Sequence, residues 1–595
     1  MISTSNAKGI PKPEGSMWSD DQWRAISQSG NNMLVAAAAG SGKTAVLVER
    51  IIRKIVDPQL GFSVDRLLVA TFTKAAAAEM RQRIREALER VLEQEPESEH
   101  VRRQLSLLNR ASITTLHSFC MEVIRRHYQA IPLDPGFRIM NEHETELLRQ
   151  ELLEELFEEK YELHDEGSTF RRLVDWFSGE RTDDAMYVLV QRLYDFSQSH
   201  PWPEHWLRAT AAAFRVQDVA ALGETPWVRS ILTDAALSLR GAASLLEQAH
   251  ETAMQPGGPA PYAMTLQEDT AMVKELLQEL ETQPWASLYD QFQAASFGKL
   301  KPVKKDQTEP ALQERVKTLR EAAKKMITDM KASLFGRRAE AYLEELHATA
   351  PLMDELVETV IAFGERFQQH KQSKGLVDFG DLEHYCLKIL RHPESTPYKL
   401  LPSDAALEYK AQFDEVLLDE YQDTNTVQED IVRLVSREEP GNRFMVGDVK
   451  QSIYRFRLAE PGLFLNKYQR YGMQEQEDGF LIDLARNFRS REEVVDAVNL
   501  VFRQIMSVDV AEIEYDERAW LVHGASYPEK TEKDAASAYA PELMLVDKGG
   551  RGLSEVSELY ETGDESALQE SELAELAELK RLSWRLVQSL NGLRS

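Results

Sequence analysis

Lys43 and Thr44 close the run Ala37, Ala38, Ala39, Gly40, Ser41, Gly42, Lys43, Thr44, an A-x-x-x-x-G-K-[ST] pattern. Side chains this small let backbone N–H groups surround phosphate oxygens, and a helix opening at Lys43 adds partial positive charge at its N-terminus. Lys43 would reach the β- and γ-phosphates of a nucleoside triphosphate, and Thr44 would ligate Mg²⁺. Two carboxylates, Asp419 and Glu420, follow an apolar run in LLDEYQDTN. A phosphate-loop ATPase needs one acid to hold the metal, here Asp419, and another to activate water, here Glu420. Alone, an Asp-Glu pair after a strand reads as a surface loop. A phosphate loop in the same chain, with Gln422 and Asp423 behind the pair, favours the catalytic reading.

A second group lies in VGDVKQSIYRFRLAEP, residues 446–461. Gln451 is a neutral amide able to hydrogen-bond a γ-phosphate or the attacking water. Tyr454, Arg455, Phe456 and Arg457 interleave aromatics with cations, which suits stacking on unpaired bases while neutralising phosphates. Core aromatics with surface arginines would give the same string. In ARNFRSREEV, Arg489 is a candidate for stabilising charge on a transferring phosphate and Phe488 for stacking on adenine. Without context Arg489 is also an ordinary helix-start arginine.

The elements that must position these residues alternate. A buried strand is predicted over 33–36, with a loop over 37–42 and a helix from Lys43 carrying Val46, Leu47 and Ile51. Ser19 is a plausible cap for a helix beginning near Trp18. Strand–helix units follow at 66–71 with 75–91, and at 111–115 with a helix from about His117. Strands recur at 413–418, 443–446 and 480–484, before a helix at 492–506. Strands alternating with helices imply a doubly wound parallel sheet, an α/β fold. Between 125 and 375 long helical patterns dominate, at 228–254, 312–330 and 338–370, with breaks at HPWPEH and PGGPAP. The organisation expected is a disordered lead at 1–16, a motor domain at 17–124 and 376–506, an inserted helical domain at 125–375, and a linker with the start of another domain at 507–595. The last segment offers one strand, 542–546, and one helix, 570–590, too little to bury a core alone.

Composition decides less. The 595 residues carry 98 acidic and 70 basic side chains, a net charge of −28 that argues against wholesale nucleic-acid coating but leaves room for a local basic groove. No run approaches the roughly 20 apolar residues of a membrane helix, and the first residues lack a signal-peptide core. Two cysteines, Cys120 and Cys386, make no disulfide framework. These features point to the cytoplasm.

The strings WSDDQ, AAAGSGKT, ATFTKAAAAEMRQRI, TTLHSF, LLDEYQDTN, VGDVKQSIYRFR and LARNFRS occur in that order between Trp18 and Ser490. In content and order they resemble the superfamily 1A helicases typified by UvrD, PcrA, Rep and RecB. The resemblance implies a RecA-like motor using ATP and Mg²⁺, with Gln22 reading adenine and Arg489 as an arginine finger. It also implies that Phe72 and Phe456 contact successive bases of single-stranded DNA and that Thr115 and His117 contact its backbone. The Ala-rich loop, the DEYQDTN wording, the large insert and DFGDL (378–382) are similar to the AddA-type helicase–nuclease subunits in particular. That group implies 3′→5′ unwinding of duplex ends with a 3′ single-stranded tail, in break repair, beside an AddB-type nuclease subunit in a heterodimer. Such chains continue well past 595 residues, through a second motor domain and a nuclease. Nucleotide binding with little unwinding is therefore expected of these 595 residues. A stand-alone UvrD-like repair helicase, a P-loop ATPase of another class, and a chain that binds without turnover are the rival readings. Ala38 departs from the glycine found in many UvrD-like loops, though Gly40 and Gly42 remain. The lysine-rich stretch 299–325 fits duplex DNA or an exposed helix face equally.

Overall fold

The computed structural model describes residues 12–178, 182–304, 308–471 and 479–527, with 539, 541 and 542. The strand and helix expected at 542–546 and 570–590 fall outside these residues. Six strands form one parallel sheet: β1 (Met33–Ala37), β2 (Leu67–Thr71), β3 (Ser112–Thr115), β4 (Glu415–Leu418), β5 (Arg443–Gly447) and β6 (Phe480–Leu484), in the spatial order β3-β2-β4-β5-β1-β6. Register sets Met33 of β1 opposite Phe444 on one side and Phe480 on the other.

Each strand sends alternate side chains to opposite faces, and both faces are covered. Met33, Val35 and Ala37 of β1 enter one core with Val46, Leu47 and Ile51. Leu34 enters the other with Phe119, Tyr409 and Val432. Double burial explains why these strands read as apolar runs. It also explains why β1 extends to Ala37: the residue expected to start the loop pairs with Leu484 and is buried.

Two helices flank the loop. α1 (Asp20–Ser27) opens with a capping box, Ser19 and Gln22 satisfying each other's backbone N–H groups. α2 (Lys43–Val56) begins at the loop lysine. A buried triad binds their far ends to the sheet. Arg50 donates to the Ala25 carbonyl and to Glu415 of β4, and Lys54 donates to the same Glu415 oxygen at 2.8 Å.

The helix starting at Leu116 runs unbroken to His127, with Val123 and Ile124 in the motor core, so it crosses the expected boundary at 124/125. The neck of the insertion is a parallel pair, Arg138–Ile139 with Leu376–Val377. Beyond it the helical residues sort into two cores rather than one. Leu153, Phe157, Phe170, Val360, Phe363 and Phe367 define the first. Leu239, Leu246, Leu266, Val273, Val316 and Ile327 define the second. The 35-residue helix Ala339–Ser373 serves the first core through its C-terminal half, while Tyr342 and Leu346 near its start pack on a small cluster around Leu222. The stretch read as a break at HPWPEH is an anchor: Arg391 lies 3.7 Å over the Trp202 ring, and Thr426 donates to the Ser199 carbonyl at 2.6 Å.

Contacts divide the chain into a large unit, 1–490 with 499–526, and a small one, 491–498 with 527–595. Within the small unit, Arg491 lies over the rings of Tyr527 and Tyr539.

Candidate nucleotide site and nucleic-acid cleft

Because all six strands are parallel, their C-terminal ends share one edge of the sheet, where α/β folds bind ligands. Each expected motif sits on that edge. β1 delivers the loop Ala38–Gly42, β2 delivers Phe72, and β3 delivers Thr115 and His117. β4 delivers Asp419 and Glu420, β5 delivers Gln451, and β6 leads into Phe488 and Arg489.

The loop is shaped by two glycines in the left-handed region, Gly40 at φ +71° and Gly42 at φ +83°. Neither tolerates a side chain. A Cβ on Gly40 would sit 2.7 Å from the Asn487 carboxamide oxygen, and one on Gly42 would sit 3.3 Å from Gln22 Nε2. Gln22 donates from that nitrogen to the Ser41 carbonyl at 2.9 Å, which brings the expected adenine reader against the loop. Phe488 joins through its backbone N–H to the Gly40 carbonyl at 2.9 Å, and its half-exposed ring lies against Gly524. Arg489 enters through its N–H to Asn487 Oδ1 at 2.8 Å. Ala38 is buried and Ala39 exposed, and the Ser41 hydroxyl is buried without a hydrogen-bond partner.

Opposite the loop, Lys43 Nζ lies 3.0 Å from Glu420 Oε2. Glu420 has left-handed backbone angles (φ 49°, ψ 49°), a conformation that costs a non-glycine residue about 1 kcal/mol or more and clusters at functional sites. Gln422 donates to the same Glu420 oxygen at 2.9 Å, and its own oxygen accepts the Asp448 N–H. A Cβ on Gly447 would collide with that Gln422 oxygen. Asp448 in turn accepts from Gln451 Nε2 at 2.9 Å. One chain of hydrogen bonds therefore runs from Lys43 through Glu420, Gln422 and Asp448 to Gln451. Burial first, then the adjacent Glu420 carboxylate, push Asp419 up to about 6. The same two causes raise Asp423 to about 6.

These residues fit a Mg²⁺-bound nucleoside triphosphate. The unpartnered Ser41 hydroxyl and the open glycine turns suit phosphate oxygens, and acids short of positive charge suit a cation. Among the described residues no cluster of three or more His, Cys, Asp or Glu side chains could cage a metal. That agrees with Mg²⁺, which keeps its waters and takes one or two protein oxygens beside the phosphates; Thr44 and Asp419 are placed to supply them.

On the other side of Asp419 and Glu420 opens a cleft of about 240 Å³, whose walls also include Phe72, His117, Tyr454 and Arg457. The Phe72 and Tyr454 rings stand 4.7 Å apart, Tyr454 and Phe456 5.9 Å. The Arg457 guanidinium lies 5.1 Å from the Tyr454 ring and 5.6 Å from the Phe456 ring. Phe456 is 75% exposed, so it is no core aromatic. Thr115, the last residue of β3, spends its hydroxyl capping the next helix at Ser118 while lining the cleft.

Residues 18–472 match the family model for the UvrD/REP helicase N-terminal domain. The chain belongs to the UvrD/REP helicase family. Within it, the chain is 49% identical over 545 residues to the A-type subunit of the ATP-dependent helicase/nuclease of Geobacillus kaustophilus (strain HTA426), covering 91% of this chain and 43% of that one. It is 50% identical over 540 residues to the protein of the same name from Bacillus pumilus (strain SAFR-032), covering 90% and 43%. The chain thus spans less than half the length of these curated relatives.

The UvrD/REP motifs hide three contributors that residue type did not disclose: Asn487, Asp448 and Glu383. Asn487 is buried between the loop and Arg489. Its only sequence signal is an asparagine two residues before the N–H it accepts, an Asx-type turn. In the stretch 299–325, Lys317 and Lys324 pair with Glu314 and Glu321, and Arg320 is buried against Asp269. Among the described residues no helix is long and apolar enough to cross a membrane.

Proposed function

We propose that this chain is the ATP-driven motor portion of a 3′→5′ DNA helicase–nuclease subunit that processes double-strand breaks for recombinational repair. The observation that carries the reading is the shared wall: Asp419 and Glu420 face Lys43 on one side and line, with Phe72, Tyr454 and Arg457, the aromatic cleft on the other. Ala37–Thr44 and Gln22 would hold ATP, with Phe488 beside the adenine. Thr44 and Asp419 would hold Mg²⁺, which when bound neutralises charge on the phosphates. Glu420, placed by Lys43 and Gln422, would take the proton of the attacking water. Lys43 and Arg489 would offset charge developing on the γ-phosphate. Gln451 would report phosphate status to Tyr454 and Phe456 three and five residues on. Phe72, Tyr454 and Phe456 would stack on the bases of a 3′ single-stranded tail, with Arg457, Thr115 and His117 at its phosphates.

The duplex end, an AddB-type nuclease partner and nuclease action belong to the same proposal. They are supported by the names of relatives more than twice this chain's matched length. The test is binding by the 595-residue protein. Fluorescent ATP with Mg²⁺ is expected to bind and to be lost in Lys43→Ala, and labelled oligo-dT is expected to bind and to weaken in Tyr454→Ala. Nucleotide binding indifferent to Lys43→Ala, or no oligonucleotide binding, would overturn the reading.

A further inference from the structure

Glu383 is a carboxylate for which the proposed cycle has no use. It sits on the helix Phe379–Leu390, just after the DFGDL stretch, and is 5% exposed. Its partners come from two other elements. Oε1 lies 3.1 Å from His117 Nε2 and accepts the Gln428 side-chain amide at 2.7 Å. Oε2 accepts from Asn425 Nδ2 at 3.3 Å. His117, Asn425 and Gln428 all line the cleft that holds the aromatic ladder, and Glu383 lies behind them. Asn425 is also the cap of the helix Thr426–Val435, accepting the Gln428 N–H, so it fixes the chain immediately after Asp419 and Glu420.

A buried carboxylate without partners is costly, and this one is satisfied only while the three groups stay in register. The helix that carries it is itself held. Lys371, fully buried, lies 2.7 Å from both Asp378, the helix cap, and Asp381 in its first turn. His117 can turn away from Glu383 only by leaving that carboxylate half-satisfied.

We propose that Glu383 is a positioning residue. It holds the His117 imidazole toward the strand backbone and ties that contact to the segment carrying the ATP-site acids. The inference rests on the DNA-motor reading above. If it is right, Glu383 changes DNA affinity through His117 and leaves nucleotide affinity alone.

The experiment is a double-mutant cycle on the 595-residue protein, reading oligo-dT affinity by fluorescence anisotropy and fluorescent-ATP affinity in parallel. Glu383→Ala, Glu383→Gln and His117→Ala are measured singly, and the two Glu383 changes again in the His117→Ala background. Removing one positioning contact is expected to weaken oligonucleotide binding about 3- to 10-fold in Glu383→Ala. Nucleotide affinity should be unchanged, and Glu383→Gln, which can still accept from His117, should restore most of the loss. In the His117→Ala background the Glu383 changes should have no further effect. The proposal is overturned if Glu383→Gln or Glu383→Ala weakens binding as much without His117 as with it, or if both ligands weaken together. It is equally overturned if no Glu383 change alters oligonucleotide affinity. A parent protein that binds nucleotide but no oligonucleotide overturns the DNA reading itself, a separate result.

Discussion

Lys43 and Glu420 answer each other across 3.0 Å, and the pair links phosphate binding to water activation. Glu420→Gln removes the base but can keep the hydrogen bonds. Turnover is expected to fall about 10²- to 10⁴-fold while fluorescent-ATP binding survives, a split that equilibrium binding and steady-state hydrolysis together would reveal. On the DNA side, Tyr454 stands between Phe72 and Phe456, so Tyr454→Ala is expected to cost about 1–3 kcal/mol of oligonucleotide affinity. Away from the site, burial first and then Arg50 lower Lys54 to about 8, against the pull of Glu415. A lysine depressed in the folded state binds fewer protons than in the unfolded chain between about pH 8 and its ordinary value near 10.5. Stability from this group therefore rises as pH rises through that window, by at most about 3 kcal/mol. Thermal melts from pH 8 to 10 should show the rise in the parent and a flatter profile in Lys54→Met.

At the scale of elements, the loop between β1 and α2 depends on its neighbours as much as on its own residues. Gly40→Ala forces both a left-handed alanine and a clash with Asn487, so fluorescent-ATP affinity is expected to fall and the Phe488–Arg489 turn to loosen. Asn487→Ala should weaken nucleotide binding too, though by less, because the glycine turn remains. The sheet was legible in the sequence because double burial leaves apolar runs that only a parallel strand order produces. The ends were less so: Arg66 sits in a 3₁₀ turn before β2, and Phe413 and Asp414 precede β4, because chain entering a buried strand is apolar as well. Lys43, Thr44, Asp419, Glu420 and Gln451 were legible because their chemistry dictates their type. Asn487, Asp448 and Glu383 were not, since each acts through partners distant in sequence or through a turn that any asparagine can make. The insert's division into two cores was hidden for a related reason: helical periodicity marks a buried face without saying which helix covers it.

At the scale of the molecule, the insertion leaves and re-enters the motor through the short pair Arg138–Ile139 and Leu376–Val377. Paired strands lie about 5 Å apart, so a few residues can replace 141–374. Such a protein is expected to fold and bind fluorescent ATP, since the loop, the acids and both faces of the sheet remain. It also loses Lys371 beneath Asp378 and Asp381 and the Trp202 anchor on Arg391. Its oligonucleotide affinity should drop while its nucleotide affinity holds, and loss of nucleotide binding would show that the insert supports the motor core. The central claim joins two halves of one cleft, ATP chemistry and a grip on single-stranded DNA. The most direct test is steady-state ATP hydrolysis with and without oligo-dT, measured on the protein carried through to the length of its relatives. Turnover is expected to accelerate with the oligonucleotide and to vanish in Lys43→Ala and Glu420→Gln. Hydrolysis that ignores DNA, or that survives both substitutions, would contradict the account.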